Sequence, residues 1–152
     1  MPFPEIKKLL HQRCIAIISE RISVAKQAMD DAQASANQEE KSSAGDKYET
    51  GRAMAQIARD QAAQQLDDAL QLKNVLDRIA TITSTDKVSL GSLVITDQNR
   101  FYISISIGKI VLDGEEYLVI SPQSPIGKLL MNRSANDEIA FINKNQIIRE
   151  VC

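Results

Sequence analysis

No proline interrupts this chain between Pro4 and Pro122, and this gap limits the possible folds more than any other feature of the sequence. Proline breaks helices, so its absence leaves long helices possible. Apolar residues recur at three- and four-residue steps in two segments, from Pro4 to about Asn37 and from Asp46 to about Ile79. Such spacing places them on one face of a helix. The first half of the chain is therefore predicted to form two long amphipathic helices.

Two long helices joined by a short break are predicted to pack as an antiparallel α-helical coiled-coil hairpin, an arm roughly 50 Å long. The apolar stripe of the first helix comprises Ile6, Leu9, Leu10, Ile17, Ile18, Ile22, Ala25, Met29 and Ala32. The predicted seam of the second helix comprises Met54, Ile57, Ala58, Gln61, Gln65, Ala69, Leu72, Leu76 and Ile79. The hairpin would occupy residues 1–82, with its tip near residues 40–50.

The break between the helices, SSAGDKYETG, carries two carboxylates three residues apart, Asp46 and Glu49. Residues at i and i+3 share a helix face, so both could reach one hard cation such as Mg²⁺ through oxygen atoms. Two carboxylates leave an octahedral site incomplete, and water, phosphate or a partner would have to supply the other ligands. The pair also fits a capping box, with Asp46 as the N-cap and Glu49 at N3. Both interpretations stand, because one pair can serve both roles.

The second half of the chain, after about Asp86, consists of β-branched runs separated by turn residues, a pattern that predicts strands. The predicted strands are Ser92–Thr96, Arg100–Ile105, Glu115–Ile120, Glu138–Ile142 and Gln146–Val151, with turns at Asp97–Asn99, Asp113–Gly114 and Asn143–Asn145. Ser124 followed by Pro125 predicts the start of one short helix over residues 124–130. The expected class is α+β, with a small antiparallel β-sheet domain and one short helix over residues 83–152.

Bulk properties exclude several function classes. The net charge of −2 gives no general attraction to nucleic acid or to an anionic membrane, and no apolar run approaches the ~20 residues of a membrane span. His11 is the only histidine, so a zinc site with a histidine ligand and a Ser-His-Asp triad would both have to use it. This argues against either kind of site. Cys14 and Cys152 lie far apart in the sequence and are expected to be free thiols in a reducing cytoplasm.

A family resemblance is carried by two stretches of the sequence. VISPQSPIGKLL at residues 119–130, followed by NDEI at 136–139, resembles the C-terminal domain of the bacterial Gre transcript-cleavage factors, in which a Ser-Pro-Ile/Met corner opens a short helix. The Gre tip motif Gly-Asp-Leu-Lys-Glu-Asn resembles GDKYET at residues 45–50, which keeps both acids at their spacing. The sequence departs from the tip motif at Lys47 and Thr50, and from the family over the first helix. The chain thus resembles a divergent member of that family.

The resemblance implies a transcription elongation factor whose second domain is FKBP-like. That domain would bind RNA polymerase through Gln123, Ser124 and Pro125, and the hairpin would enter the secondary channel. Asp46 and Glu49 would then help to hold a second Mg²⁺ and the attacking water where the polymerase cleaves backtracked RNA. The ion would be shared with the polymerase, and tight binding to the isolated protein is not expected. The protein would be a monomer and no enzyme by itself, and it would meet RNA only at the 3′ end inside the polymerase.

Three alternatives stay open. A Gre-like protein could occupy the secondary channel as a regulator or inhibitor without stimulating cleavage. An FKBP-like domain could be a prolyl isomerase or chaperone. Such isomerases line their pockets with aromatic side chains, and this half of the chain contains only Phe101, Tyr102, Tyr117 and Phe141. The last alternative is a structural coiled-coil adaptor that binds no polymerase.

Overall fold

The computed structural model describes residues 2–41, 45–83 and 85–152, and the side chains of residues 39–49 lie outside this description. The elements, in chain order, are α1 (Phe3–Lys41), α2 (Gly45–Ile79), β1 (Leu93–Thr96), β2 (Arg100–Ile103), β3 (Gly108–Leu112), β4 (Glu115–Ile120), α3 (Pro125–Leu130), β5 (Glu138–Phe141) and β6 (Lys144–Val151). The helices α1 and α2 pack together and precede the sheet. The predicted α+β class, with a helical hairpin first, is confirmed.

The chain divides into two compact units. Met1–Ile15 and Asn74–Cys152 form the first, called here the sheet unit, and Ala16–Lys73 form the second, called the arm unit. The sheet unit therefore contains the first part of α1 and the last part of α2 as well as every strand. The expected boundary between folding domains after residue 82 stays a prediction.

Alanine forms most of the buried seam inside the arm unit. The buried apolar side chains there are Ile18, Ala25, Ala32, Ala55, Ala62 and Ala69. In each helix these positions are seven residues apart, which is the repeat of a coiled coil. The distance between packed helix axes depends on the side chains at the contact, and alanine permits a close approach. The arm is thus coiled-coil-like, with a seam of small side chains.

The seam predicted for the first half of α2 is wrong. Met54 and Ile57 are 67% and 58% exposed, and Gln61 is exposed as well. The buried positions are instead Ala55 and Ala62, at 7% and 3% exposure. The prediction followed the largest apolar side chains, whereas the seven-residue register of a coiled coil decides which positions meet the other helix.

Six strands form one sheet in the order β3-β4-β2-β1-β6-β5. Neighbouring strands are antiparallel except β2 and β4, which are parallel. The sheet is therefore mixed, not purely antiparallel as expected. The reason is β3 (Gly108–Leu112), which the sequence analysis missed. After β2 the chain forms β3 at the edge of the sheet and then turns back to form β4, which lies between β3 and β2. Because β4 is antiparallel to β3, it runs in the same direction as β2.

Two hairpins turn through residues with positive φ. Asp113 and Gly114, at 50° and 81°, connect β3 to β4, and Ile142 and Asn143, at 49° and 60°, connect β5 to β6. Two-residue connections with positive φ at both positions have the geometry of type I′ turns. The first turn was predicted. The second lies one residue earlier than the predicted turn at 143–145, because its isoleucine was assigned to the strand.

Both faces of the six-stranded sheet carry buried side chains. On one face α3 packs with a cluster of buried apolar side chains: Val88, Val94, Phe101, Ile103, Leu130, Ile139 and Ile148. Successive residues of a strand point to opposite faces, so Tyr102 of β2 lies on the other face. There it neighbours Cys14 of α1, and the two side chains are 1% and 0% exposed. The base of the helical pair therefore completes the core of the sheet unit.

Candidate functional site

The two acids predicted at the tip, Asp46 and Glu49, lie in the first turns of α2, which begins at Gly45. Their backbones are helical, so they keep the i, i+3 spacing that places both on one face of the helix, as a shared ion requires. Their side chains lie outside the described part of the chain. The predicted sharing of a Mg²⁺ ion and the predicted capping box therefore both stay predictions.

The predicted polymerase-binding corner is a capped helix start in the sheet unit. Ser124 is the N-cap of α3, with extended backbone, and Pro125 is the first helical residue. The Ser124 hydroxyl donates a 2.7 Å hydrogen bond to the carbonyl oxygen of Ser121 and accepts a 3.1 Å bond from the backbone N–H of Gly127. These bonds satisfy one of the unpaired N–H groups of the helix start and fix the turn that precedes it. The corner predicted from the sequence is confirmed as a structural feature.

The three corner residues differ in how much they offer a partner. Gln123 and Pro125 are exposed, whereas Ser124 is half-buried and its hydroxyl already donates one hydrogen bond and accepts another. A partner at this corner would therefore meet the amide of Gln123 and the ring of Pro125. The role of Ser124 is to hold these two side chains in place.

Gly127 makes the corner possible, and the sequence analysis did not single it out. A Cβ atom at this position would collide with the carbonyl oxygen of Ser121 and with Oγ of Ser124. The obstacle at Ser121 is backbone and cannot rotate away. Glycine three residues after a serine N-cap is the local signal that could have pointed to this close approach.

His11 lies at the edge of a cleft in the sheet unit, together with Lys7 and Lys8. Its Nδ1 is buried and has no hydrogen-bond partner among the residues that the structure describes. Burial lowers the pKa of His11, because the cation loses water, and the nearby charge of Asp77 opposes this effect.

Metal-binding groups and membrane spans were sought across residues 2–41, 45–83 and 85–152, with the side chains of 39–49 left aside. No three His, Cys, Asp or Glu side chains in this set come close enough together to share an ion. No helix in these ranges is both long enough and apolar enough to cross a bilayer.

Comparison of the chain with models of known protein families and with curated protein sequences finds no match. Any functional interpretation therefore depends on the residues of this chain and on their arrangement in the structure. The two features that carry such an interpretation are the acids in the first turns of α2 and the corner before α3.

Proposed function

We propose that this protein is a Gre-like transcription elongation factor that binds RNA polymerase, inserts its helical hairpin into the secondary channel and stimulates cleavage of backtracked RNA. The observation that carries the proposal is the packed pair of helices, of 39 and 35 residues, with Asp46 and Glu49 at the start of the second. At 1.5 Å per residue, the parts of the two helices that belong to the arm unit, residues 16–41 and 45–73, are about 39 and 44 Å long. A slender helical pair of this length suits a channel that a globular domain cannot enter. The cytoplasm is the compartment that this function requires.

The chemistry of the two acids suits the proposed role. Asp46 and Glu49 would offer carboxylate oxygens, the ligand type that Mg²⁺ prefers, and would orient the attacking water through hydrogen bonds. When bound, Mg²⁺ stabilises charge on the attacking and leaving oxygens of a phosphodiester. Two side chains cannot complete its octahedral shell, so groups of the polymerase would supply the remainder. Weak Mg²⁺ binding by the isolated protein follows from this sharing.

The corner before α3 supports the polymerase contact in this proposal. Gln123 and Pro125 are exposed next to each other, and hydrogen bonds of Ser124 fix the turn that presents them. A pre-formed turn loses little conformational freedom on binding, which favours affinity. The double variant Gln123→Ala and Pro125→Ala should therefore co-purify less well with the polymerase core than the native protein does.

A cleavage assay tests the role of the two acids. The protein is added to stalled, backtracked polymerase complexes carrying labelled RNA, and the appearance of shortened RNA is measured over time. The native protein should accelerate cleavage. The double variant Asp46→Asn and Glu49→Gln should lose about 100-fold or more of this acceleration, the loss typical of removing an electrostatic stabiliser of a transition state. Asp30→Asn is the matched control, because Asp30 is an exposed acid on the other helix, α1, and this variant should retain full activity.

Other outcomes separate the remaining alternatives. Cleavage that survives loss of both acids would contradict the carboxylate mechanism. Native protein that binds the polymerase and slows synthesis without shortening RNA would identify a channel regulator, the alternative suggested by Lys47 and Thr50 in the tip motif. Absence of any binding to the polymerase core would overturn both proposals.

The prolyl isomerase alternative gains no support from the aromatic side chains of the sheet unit. Phe101, Tyr102 and Tyr117 are 2%, 1% and 4% exposed, which leaves Phe141 as the one half-buried member of the four aromatic residues named above. Side chains this deeply buried offer little surface to a proline-containing peptide. We expect no acceleration in an assay of proline-peptide isomerisation, and a measurable acceleration would revive this alternative.

A further inference from the structure

The cleft beside His11 has a volume of about 160 Å³ and lies entirely within the sheet unit. It is lined by residues from the first turns of α1 and from the turn that leads into β1. Its lining combines basic and hydroxyl-bearing side chains with a partly apolar floor. The polar residues used below are Lys7, Lys8, His11, Ser89 and Ser92.

The charge of the lining is one-sided. Lys7, Lys8 and His11 all border the cleft, and none of its described lining residues is acidic, although the chain as a whole carries a net charge of −2. Burial lowers the pKa of Lys7, and the negative charge of a Cys152 thiolate would oppose this effect. The negative charge of Asp77 likewise raises the pKa of His11, against the larger effect of burial. An anion in the cleft would favour the charged forms of Lys7 and His11, against the effect of burial.

Two hydroxyl groups in the turn that leads into β1 can donate hydrogen bonds to such an anion. Oγ of Ser92 accepts a 3.0 Å bond from the backbone N–H of Ser89, and the two hydroxyl oxygens are 3.4 Å apart. A bond between them uses only one of their two protons, so at least one hydroxyl proton stays available. Gly91, between them, has φ of +90° and donates a 2.7 Å bond to the carbonyl oxygen of Ile103, which ties this turn to β2.

We propose that this cleft binds a phosphate group, with Lys7 and Lys8 pairing with its charge and Ser89 or Ser92 donating to its oxygens. Phosphate offers several strong acceptor oxygens to converging donors and suits charge-assisted hydrogen bonds. A cavity of about 150 Å³ holds a molecule the size of benzene, so the cleft accommodates phosphate with room for a few further atoms. This site is separate from the proposed polymerase function and does not depend on it.

An NMR titration with inorganic phosphate tests the proposal. Amide signals of Gly91 and Ser92 and ring signals of His11 are followed at constant ionic strength, with chloride as the balancing ion. Saturable shifts are expected, together with a higher pH midpoint for His11, because a nearby dianion favours the imidazolium form. The double variant Lys7→Gln and Lys8→Gln should bind about 100-fold more weakly, because each charged hydrogen bond that is lost weakens binding about tenfold.

The controls make the outcome decisive. Lys26→Gln removes an exposed lysine of the arm unit and should leave the affinity unchanged. Lys8→Gln alone, at an exposed position, gives the answer if the double variant does not fold. Saturation by inorganic phosphate only would identify a free ion as the ligand, and saturation by glycerol phosphate as well would identify a phosphate ester. Equal shifts with chloride, shifts that do not saturate, or unchanged affinity in the lysine variants would overturn the proposal.

Discussion

At the scale of single residues, Ile142 carries the clearest conflict between side chain and backbone. It is 76% exposed and has φ of 49°, in a region that β-branched side chains rarely adopt. The left-handed conformation costs an ordinary residue roughly 1–2 kcal/mol, and asparagine tolerates it better because its short side chain can hydrogen-bond locally. An apolar side chain this exposed contributes little burial to offset that cost.

Replacing Ile142 with asparagine should therefore stabilise the protein. We expect the free energy of unfolding, measured by urea denaturation, to rise by about 1 kcal/mol. Val111→Asn is the matched control, because Val111 is also an exposed β-branched residue but has ordinary strand backbone in β3. The control should gain nothing. An unchanged or lower stability of Ile142→Asn would show that the turn is not strained.

At the scale of elements, the alanine seam of the arm unit decides how α1 and α2 pack. Ala62 is 3% exposed, whereas Ile57, one and a half turns earlier on the same helix, is 58% exposed. Ala62→Leu should destabilise the protein by about 1–3 kcal/mol, because added methylene groups overpack a closely packed seam. Ile57→Ala should change stability by less than about 0.5 kcal/mol, as surface substitutions usually do. Thermal unfolding, monitored by circular dichroism, measures both effects. A larger loss of stability in Ile57→Ala than in Ala62→Leu would show that the seam lies at Met54 and Ile57 after all.

Local patterns predicted most of the elements, and the errors arose where pairing is not local. Both long helices, the corner at Ser124 and five strands could be predicted because capping, helical period and β-branched runs are properties of neighbouring residues. The strand Gly108–Leu112 was missed, although the Asp-Gly turn that follows it is a strong hairpin signal. The parallel pairing of β2 with β4 could not be predicted from such patterns, because it depends on where that missed strand lies in the sheet.

The candidate sites divide in the same way. Asp46, Glu49 and the corner residues are short motifs and could be named from the sequence. The phosphate cleft could not, because it brings Lys7 and Lys8 of α1 against Ser89 and Ser92, which are far away in the chain. Only the packing of the sheet unit places these side chains together.

At the scale of the whole molecule, two buried acidic groups link stability to alkaline pH. Burial raises the pKa of Cys14 above its ordinary 9.0 and that of Tyr102 above its ordinary 10.0, because their anions would lose hydration. The folded protein therefore holds these protons more tightly than the unfolded chain. Their stabilisation is complete below the unfolded pKa values and is lost as the pH rises through the window between the unfolded and folded values.

Tyr102→Phe isolates one of these contributions. Between about pH 10 and pH 12, the free energy of unfolding of the native protein should fall more steeply than that of the variant, by up to about 1.4 kcal/mol per pH unit. Chemical denaturation at a series of pH values gives the two curves. At neutral pH the difference between native protein and variant should be constant. Parallel curves throughout the alkaline range would show that the phenol ionises equally well in both states.

The sheet unit is built from two separate stretches of the chain, and this affects the order in which parts of the protein fold during synthesis. Residues 1–15 leave the ribosome well before residue 93, yet Leu10 and Cys14, both fully buried, belong to a core whose strands begin at Leu93. At a synthesis rate of about 5–20 residues per second, these side chains wait several seconds for their partners. The arm unit, whose residues are contiguous, is complete well before then. A segment that is synthesised before the arm unit therefore reaches its final packing after the arm unit is complete.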